Sequence, residues 1–323
     1  MTRAKRLIAA LAVALLCAPG TFLRTDTPTG PPRDIPMAHI QGAGPTPAPG
    51  WQVAGVWQFR ANSRLFGGFS ALLTAHDHQL RAFSDRGARF TLTEPDRPAP
   101  RSDGRSDGRP DLVRQLVASA DVNDLFDIEA ATPDPASGTY WLAYENRHTI
   151  HRFTVASTPD RKRDLEGEVD WYANSGAEAM VRLRDGRFVV LPEGKNYGLI
   201  YPGDPVEGAE PARFTFQSPA PGFAATDVAE LPDGRLLLLM RDLVWAYPMF
   251  TSRLAIGAAP RVGGVFAPET VLQLDPTIPR ENYEGLAVRP RADGRIDVWV
   301  ISDDNLSVMQ RTLLAKLVFD PNA

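Results

Sequence analysis

Carboxylates recur at two fixed places in this sequence. Glu129, Glu178 and Glu284 each stand at the head of a short apolar run, a place taken by Ser70 and by Thr226 or Asp227 in two related stretches. Asp85, Glu145, Glu193 and Asp303-Asp304-Asn305 each follow the next apolar run, where Arg241-Asp242 stand once. Carboxylates gathered round one site repel each other and are relieved by protonation or by a cation. Their hard oxygens suit Ca²⁺, which takes about six to eight oxygen ligands. Asp85, Glu129, Glu145, Glu178, Glu193, Glu284 and Asp303 are therefore candidate metal ligands, with Ca²⁺ as the expected cofactor. Each acid taken singly has a plainer alternative role, capping a turn at a strand end. Arg241, at a place where the other repeats put an acid, either neutralises the set internally or anchors an anionic substrate. Arg241 and Asn305 are the candidate substrate contacts.

The elements that position these residues repeat. An apolar strand, an Asp- and Gly-rich turn and a second apolar strand recur five times, starting near residues 69, 128, 178, 227 and 285, with spacings of about 50 to 59 residues. Three copies turn on Asp185-Gly186, Asp233-Gly234 and Asp293-Gly294, and Asp-Gly between apolar runs is the strongest short-range hairpin signal. Further apolar runs, Tyr197 to Tyr201 and Ala212 to Phe216, read as outer strands. The pattern predicts an all-β fold, a β-propeller of four-stranded blades, five favoured and six the alternative. The last repeat has three good strands, ending at Thr312 to Phe319, so Trp51 to Arg60 is expected to close the ring. In a propeller the loop entering each innermost strand and the loop leaving the second strand open on one face, where both sets of acids would meet.

Composition excludes several classes. The 35 Lys and Arg against 39 Asp and Glu give a net charge of −4, which disfavours an unspecific nucleic-acid binder. With 29 Pro and 26 Gly the elements must be short. There is no Gly-x-Ser-x-Gly elbow, His-Glu-x-x-His pair, phosphate-cradling loop or paired-Cys zinc spacing. Residues 1–20 read as a secretory signal, with a basic start at Arg3, Lys5 and Arg6, an apolar run from Leu7 to Leu16 and small residues at Cys17 to Gly20. That run is too short to span a bilayer. Lipid attachment at Cys17 is an alternative, which bulky Leu15 and Leu16 disfavour. Residues 21–50, with seven prolines after residue 24, read as a linker, leaving residues 51–323 as one domain. The expectation is a periplasmic or secreted monomer with no integral membrane segment.

Several stretches resemble the phytase-like exported proteins described by an esterase-like activity of phytase. They are Gly67 to Leu72 with Phe83-Ser84-Asp85; Asp127 to Ala130 with Trp141 to Glu145; Asn174 to Ala179; Leu236 to Arg241; and Asn282 to Gly285 with Ile301 to Asn305 and Gln310-Arg311-Thr312. The resemblance covers most of residues 51–320. It implies a propeller, export and a calcium-assisted attack of water on a phosphate ester. Family members tend to carry an acid where this chain has Met240, and true propeller phytases surround phosphate with several lysines. Residues 21–323 of this chain hold three. The expected activity is metal-assisted hydrolysis of phosphate or carboxylic esters. The alternatives are a non-catalytic propeller with a structural metal and a lactonase-like propeller.

Overall fold

The computed structural model describes residues 28–97, 110–115, 127–172, 175–245, 247–305 and 307–323. The described residues form five antiparallel sheets in a ring, a five-bladed β-propeller. Blade 1 comprises Phe69–Thr74, Gln79–Ser84, Ala88–Thr93 and Asp111–Arg114. Blade 2 comprises Ile128–Pro133, Tyr140–Tyr144, Thr149–Phe153 and Pro159–Asp164. Blade 3 runs through Ala177–Arg182, Phe188–Pro192, Tyr197–Tyr201 and Ala212–Phe216, and Val265–Phe266 adds a short parallel edge. Blade 4 is built from Ala224–Glu230, Arg235–Leu243, Phe250–Ala258 and Glu269–Gln273.

Blade 5 joins the two ends of the sequence. Asn282–Pro290, Ile296–Asp303 and Thr312–Phe319 come from the last repeat, and Trp51–Phe59 pairs with Thr312–Phe319 from the other end. That pairing hides a row of backbone donors and acceptors that would otherwise be an exposed edge. The segment read as a linker departs from that reading beyond residue 36. Met37–Gln41 and Gly44–Pro45 pair antiparallel with Trp51–Phe59 and extend the blade outward. Proline-rich composition permits this at an edge, where a missing N–H faces outward. The candidate signal, residues 1–20, and the candidate lipid site, Cys17, lie outside the described residues. No helix among the described residues is long and apolar enough to cross a membrane.

Between blades the apolar faces pack against one another. One cluster joins Leu237, Leu239 and Leu254 of blade 4 to Val298, Val300 and Leu313 of blade 5, and another joins Met180, Phe188 and Val190 of blade 3 to Ala130, Trp141 and Ala143 of blade 2. Met240 belongs to such a layer and is fully buried between blades 3 and 4.

Candidate metal centre at the channel mouth

All five innermost strands carry a β-bulge at the same place. The pairing with the second strand skips one residue, and the unpaired residues are Ser70, Glu129, Glu178, Thr226 and Glu284. A bulge re-aims the extra side chain out of the alternation of the strand. It presents one polar residue per blade at the channel mouth. The fourth repeat, open in sequence between Thr226 and Asp227, is thereby settled as Thr226. Asp227 is wholly buried instead. Its carboxylate accepts the backbone N–H of Val228 at 2.8 Å, that of Leu286 at 2.7 Å and also that of Leu72, so it ties the innermost strands of blades 4, 5 and 1 together. Burial holds its pKa well above the usual carboxylate range, against the pull of those three donors.

The pairing register also aligns the second set. Asp85, Glu145, Glu193, Arg241 and Asp303 occupy equivalent places where the second strand of each blade ends or the next turn begins. Glycine makes room for these side chains. A Cβ on Gly68, whose φ is +64°, would lie 2.0 Å from the Asp85 Oδ1, and one on Gly176 would meet the Glu145 Cα at 2.8 Å. The Gly176 N–H donates to the Glu145 carboxylate.

The charges around the channel divide into two halves. On the side of blades 4 and 5, the Arg241 guanidinium pairs with Glu284 and donates to the Asn282 Oδ1 at 2.8 Å. The Asn282 amide donates in turn to Glu284 at 2.7 Å and Asp303 at 3.4 Å. On the side of blades 1 to 3 the carboxylates face one another. Oxygens of Asp127, Glu129 and Glu145 lie within 4.8 Å of one another, and so do oxygens of Glu145, Glu178 and Glu193. The charges acting most strongly on Glu129 are four other carboxylates, those of Glu178, Glu284, Asp127 and Glu145.

These environments raise the pKa values of five of the acids. Burial, then the neighbouring carboxylates, hold Glu129 well above its usual range, and burial does the same to Glu178 and Asp303. Asp85 is pushed up to about 7 chiefly by burial, against Arg86 and the Ser84 hydroxyl. Glu145 also reaches about 7, through burial, the Asp127 charge and the Glu193 charge. Ionised together, these groups demand a counter-charge.

Asp127 is one of two members of the site, with the fully buried Asn282, that the sequence reading did not assign. Asp127 holds a left-handed φ of 77°, donates its N–H to the Asp85 carbonyl and accepts the Glu145 N–H on its own carbonyl. Its signal was its place two residues before Glu129, in one of the stretches that carry the family resemblance. Asn305 is brought no closer than the rim. It is exposed, its amide donates to Gln310 at 2.8 Å, and its backbone N–H caps Asp303 at 2.6 Å.

A hard divalent cation fits this donor set. Two oxygens bound to one Ca²⁺ at about 2.3–2.6 Å can stand no more than about 5 Å apart, and both carboxylate groups meet that limit. Arg241 pairs directly with Glu284 and acts at longer range on Glu178, Asp303 and Glu129, so the carboxylates of blades 1 to 3 are the less compensated half.

The rim is apolar on one side. The turn that leaves the second strand of blade 4 exposes Leu243, Trp245 at 94%, Tyr247 and Met249, and the equivalent turn of blade 5 exposes Val308 and Met309. The Tyr247 hydroxyl donates to the Met309 carbonyl and links the two turns.

Solved structures with similar architecture include a novel α-L-arabinofuranosidase from Clostridium thermocellum, 12% identical over 81% of this chain and 93% of that one, TM-score 0.47. A PQQ-bound aldose sugar dehydrogenase from Streptomyces coelicolor is 10% identical over 90% of this chain and 100% of that one, TM-score 0.45. A luciferin-regenerating enzyme is 11% identical over 93% and 94%, TM-score 0.44. No curated protein matches the chain. The family model for phytase-like proteins, described by an esterase-like activity of phytase, matches residues 64–306. The chain belongs to this phytase-like family.

Proposed function

We propose that this protein is an exported ester hydrolase assisted by a divalent cation, Ca²⁺ the first choice, held at the channel mouth. The observation that carries the reading is the convergence of Asp127, Glu129, Glu145, Glu178 and Glu193 on the side of the ring that Arg241 does not pair with directly. Glu129, Glu145, Glu178 and Glu193 would supply ligand oxygens together with Asp127, while Asp85, Glu284 and Asp303 would complete or brace the set. A cation bound there would polarise an ester and ease the ionisation of a water, chemistry that needs no side-chain nucleophile.

The chain's own residues set orientation. Arg241 engages Asn282 and Glu284 through one terminal nitrogen, which leaves other donors of its planar fork for an oxyanion of the substrate. The Ser70 and Thr226 hydroxyls complete the ring without adding charge. The exposed Trp245, Tyr247 and Met249 favour an ester that carries an apolar group, since a polyanion gains nothing from such a rim.

The test is a calorimetric titration of Ca²⁺ into chelator-treated protein. The same samples are then assayed on a chromogenic phosphate monoester, a phosphodiester and a short acyl ester. Binding with metal-dependent turnover is expected, the acyl ester being the best substrate. Binding without turnover would replace this reading with a binding propeller whose metal is structural. Turnover confined to lactones would replace it with a lactonase, and absence of binding would leave the acids as turn caps.

A further inference from the structure

Buried polar groups without partners collect in the seam between blades 1 and 2. Phe83 of blade 1 packs on Tyr140 of blade 2, with ring centroids 5.5 Å apart. Arg81 shares the face of Phe83, two residues along its strand, and its guanidinium stands 5.9 Å over the Tyr140 ring. Arg89, cross-strand partner of Phe83, shares that face. Opposite them, Tyr140 and Tyr144 pair with Phe153 and Thr149, and His151 lies between the last two on the same face. The Arg89 Nε, the Tyr144 hydroxyl, the Thr149 hydroxyl and both ring nitrogens of His151 are buried with no hydrogen-bond partner. Tyr144 and His151 are each 1% exposed.

Charge points the same way. Arg81 and Arg89 act on each other as like charges, and neither makes an ion pair among the described residues. Below them a cavity of about 350 Å³ opens between the turns at Thr74–His78 and Pro133–Gly138, with Arg81, Tyr140 and His76 in its lining. These turns join the first strand to the second, so the cavity opens at the end of the blades opposite the carboxylate ring. Asp134 also lines it, but its oxygens are engaged by the Ala136 N–H, the Ser137 hydroxyl and Arg182. Asp77 is exposed at the turn. Buried polar groups are hydrogen-bonded almost everywhere in folded proteins, so two guanidiniums unpaired among the described residues, beside this many unpartnered hydroxyl and ring N–H groups and with Arg81 reaching the cavity itself, call for a ligand with acceptors between the blades.

We propose that the seam between blades 1 and 2 is an anion-binding site, separate from the carboxylate ring, that takes a tetrahedral oxyanion of the phosphate or sulfate class. Arg81 offers its fork from the cavity side and Arg89 adds charge behind it. Donors on both blades suit an anion with acceptors on every side better than a planar carboxylate.

The test uses the full chain in chelator, so that no metal precipitates the probe. Inorganic phosphate, sulfate, glycerol 3-phosphate and acetate are titrated by calorimetry at ionic strength matched with chloride. One-site binding of inorganic phosphate or sulfate is expected, with weaker binding of acetate. It should weaken tenfold or more in Arg81→Gln and persist in the ring variant Glu178→Gln. Stronger binding of glycerol 3-phosphate than of inorganic phosphate would mark a phosphate ester as the natural occupant. If Arg81→Gln fails to fold, Arg81→Lys keeps the charge and loses the fork, and must still weaken phosphate severalfold. Absence of binding beyond the chloride control, unchanged affinity in the Arg81 variant, or loss in Glu178→Gln would each overturn the proposal. The outcome does not depend on whether the ring hydrolyses esters.

Discussion

Arg241 of blade 4 pairs with Glu284 of blade 5 within the channel, and Asn282 bridges the two by accepting from the guanidinium and donating to the carboxylate. The pair is largely out of solvent, with side chains 24% and 9% exposed. Removing one partner leaves the other as an uncompensated buried charge. Arg241→Gln is therefore expected to lower stability by about 3 kcal/mol. Added Ca²⁺ should recover part of the loss. Urea unfolding with and without Ca²⁺ measures both, and an unchanged midpoint in chelator would show that the pair contributes nothing.

Glu145 belongs to both carboxylate groups, so it is the most sensitive position for metal binding. Glu145→Gln and Glu178→Gln should each weaken Ca²⁺ tenfold or more, about 1.4 kcal/mol. In chelator the same variants should melt higher than the parent, because each removes one of several mutually repelling buried charges. Calorimetry and thermal melts read these opposite signs in one set of samples. A variant that loses stability in chelator and keeps its affinity would remove Glu145 or Glu178 from the site.

Asp85 and Glu145 titrate near 7 in the fold, above their ordinary values of 3.8 and 4.5. Between those values and about 7 the folded protein binds more protons than the unfolded chain, so its stability falls as pH rises through that window. Metal-free protein should accordingly melt higher near pH 5 than near pH 7.5. Ca²⁺ competes with protons for the same oxygens, so saturating Ca²⁺ should flatten or reverse the order. Melting temperatures across pH, with and without Ca²⁺, decide it. A metal-free curve that rises steadily to pH 7.5 would contradict the assigned environments.

Asp227 lies one residue from Thr226 of the ring, yet it faces backbone N–H groups of three blades. Asp227→Ala orphans those donors, and stability should fall by about 3 kcal/mol. The folded fraction should keep its affinity for Ca²⁺. Denaturant unfolding alongside calorimetry separates the roles, and loss of Ca²⁺ affinity with stability intact would place Asp227 among the ligands.

Much of this architecture was legible in the residues. Asp185-Gly186, Asp233-Gly234 and Asp293-Gly294 between apolar runs marked the hairpins, and the strands Tyr197–Tyr201, Ala212–Phe216 and Thr312–Phe319 stand where the apolar runs put them. Period-two alternation and turn chemistry are local, so a sequence states them directly. The strand Met37–Gln41 was not legible, because its pairing rests on the edge that Trp51–Phe59 offers rather than on its own composition.

The site followed the same division. By itself the sequence determined that each repeat brings one polar residue to the head of its first strand and one to the end of its second. Only the tertiary structure decided which of Thr226 and Asp227 enters the ring, since a bulge is defined by pairing with a partner strand. It alone brought Asp127 to Glu129 and Glu145, turned Asn305 out toward Gln310, and gave Arg241 to Glu284. Arg241 and Glu284, 43 residues apart, come from neighbouring blades, so the charge balance of the channel is a property of the assembled blades rather than of any single repeat.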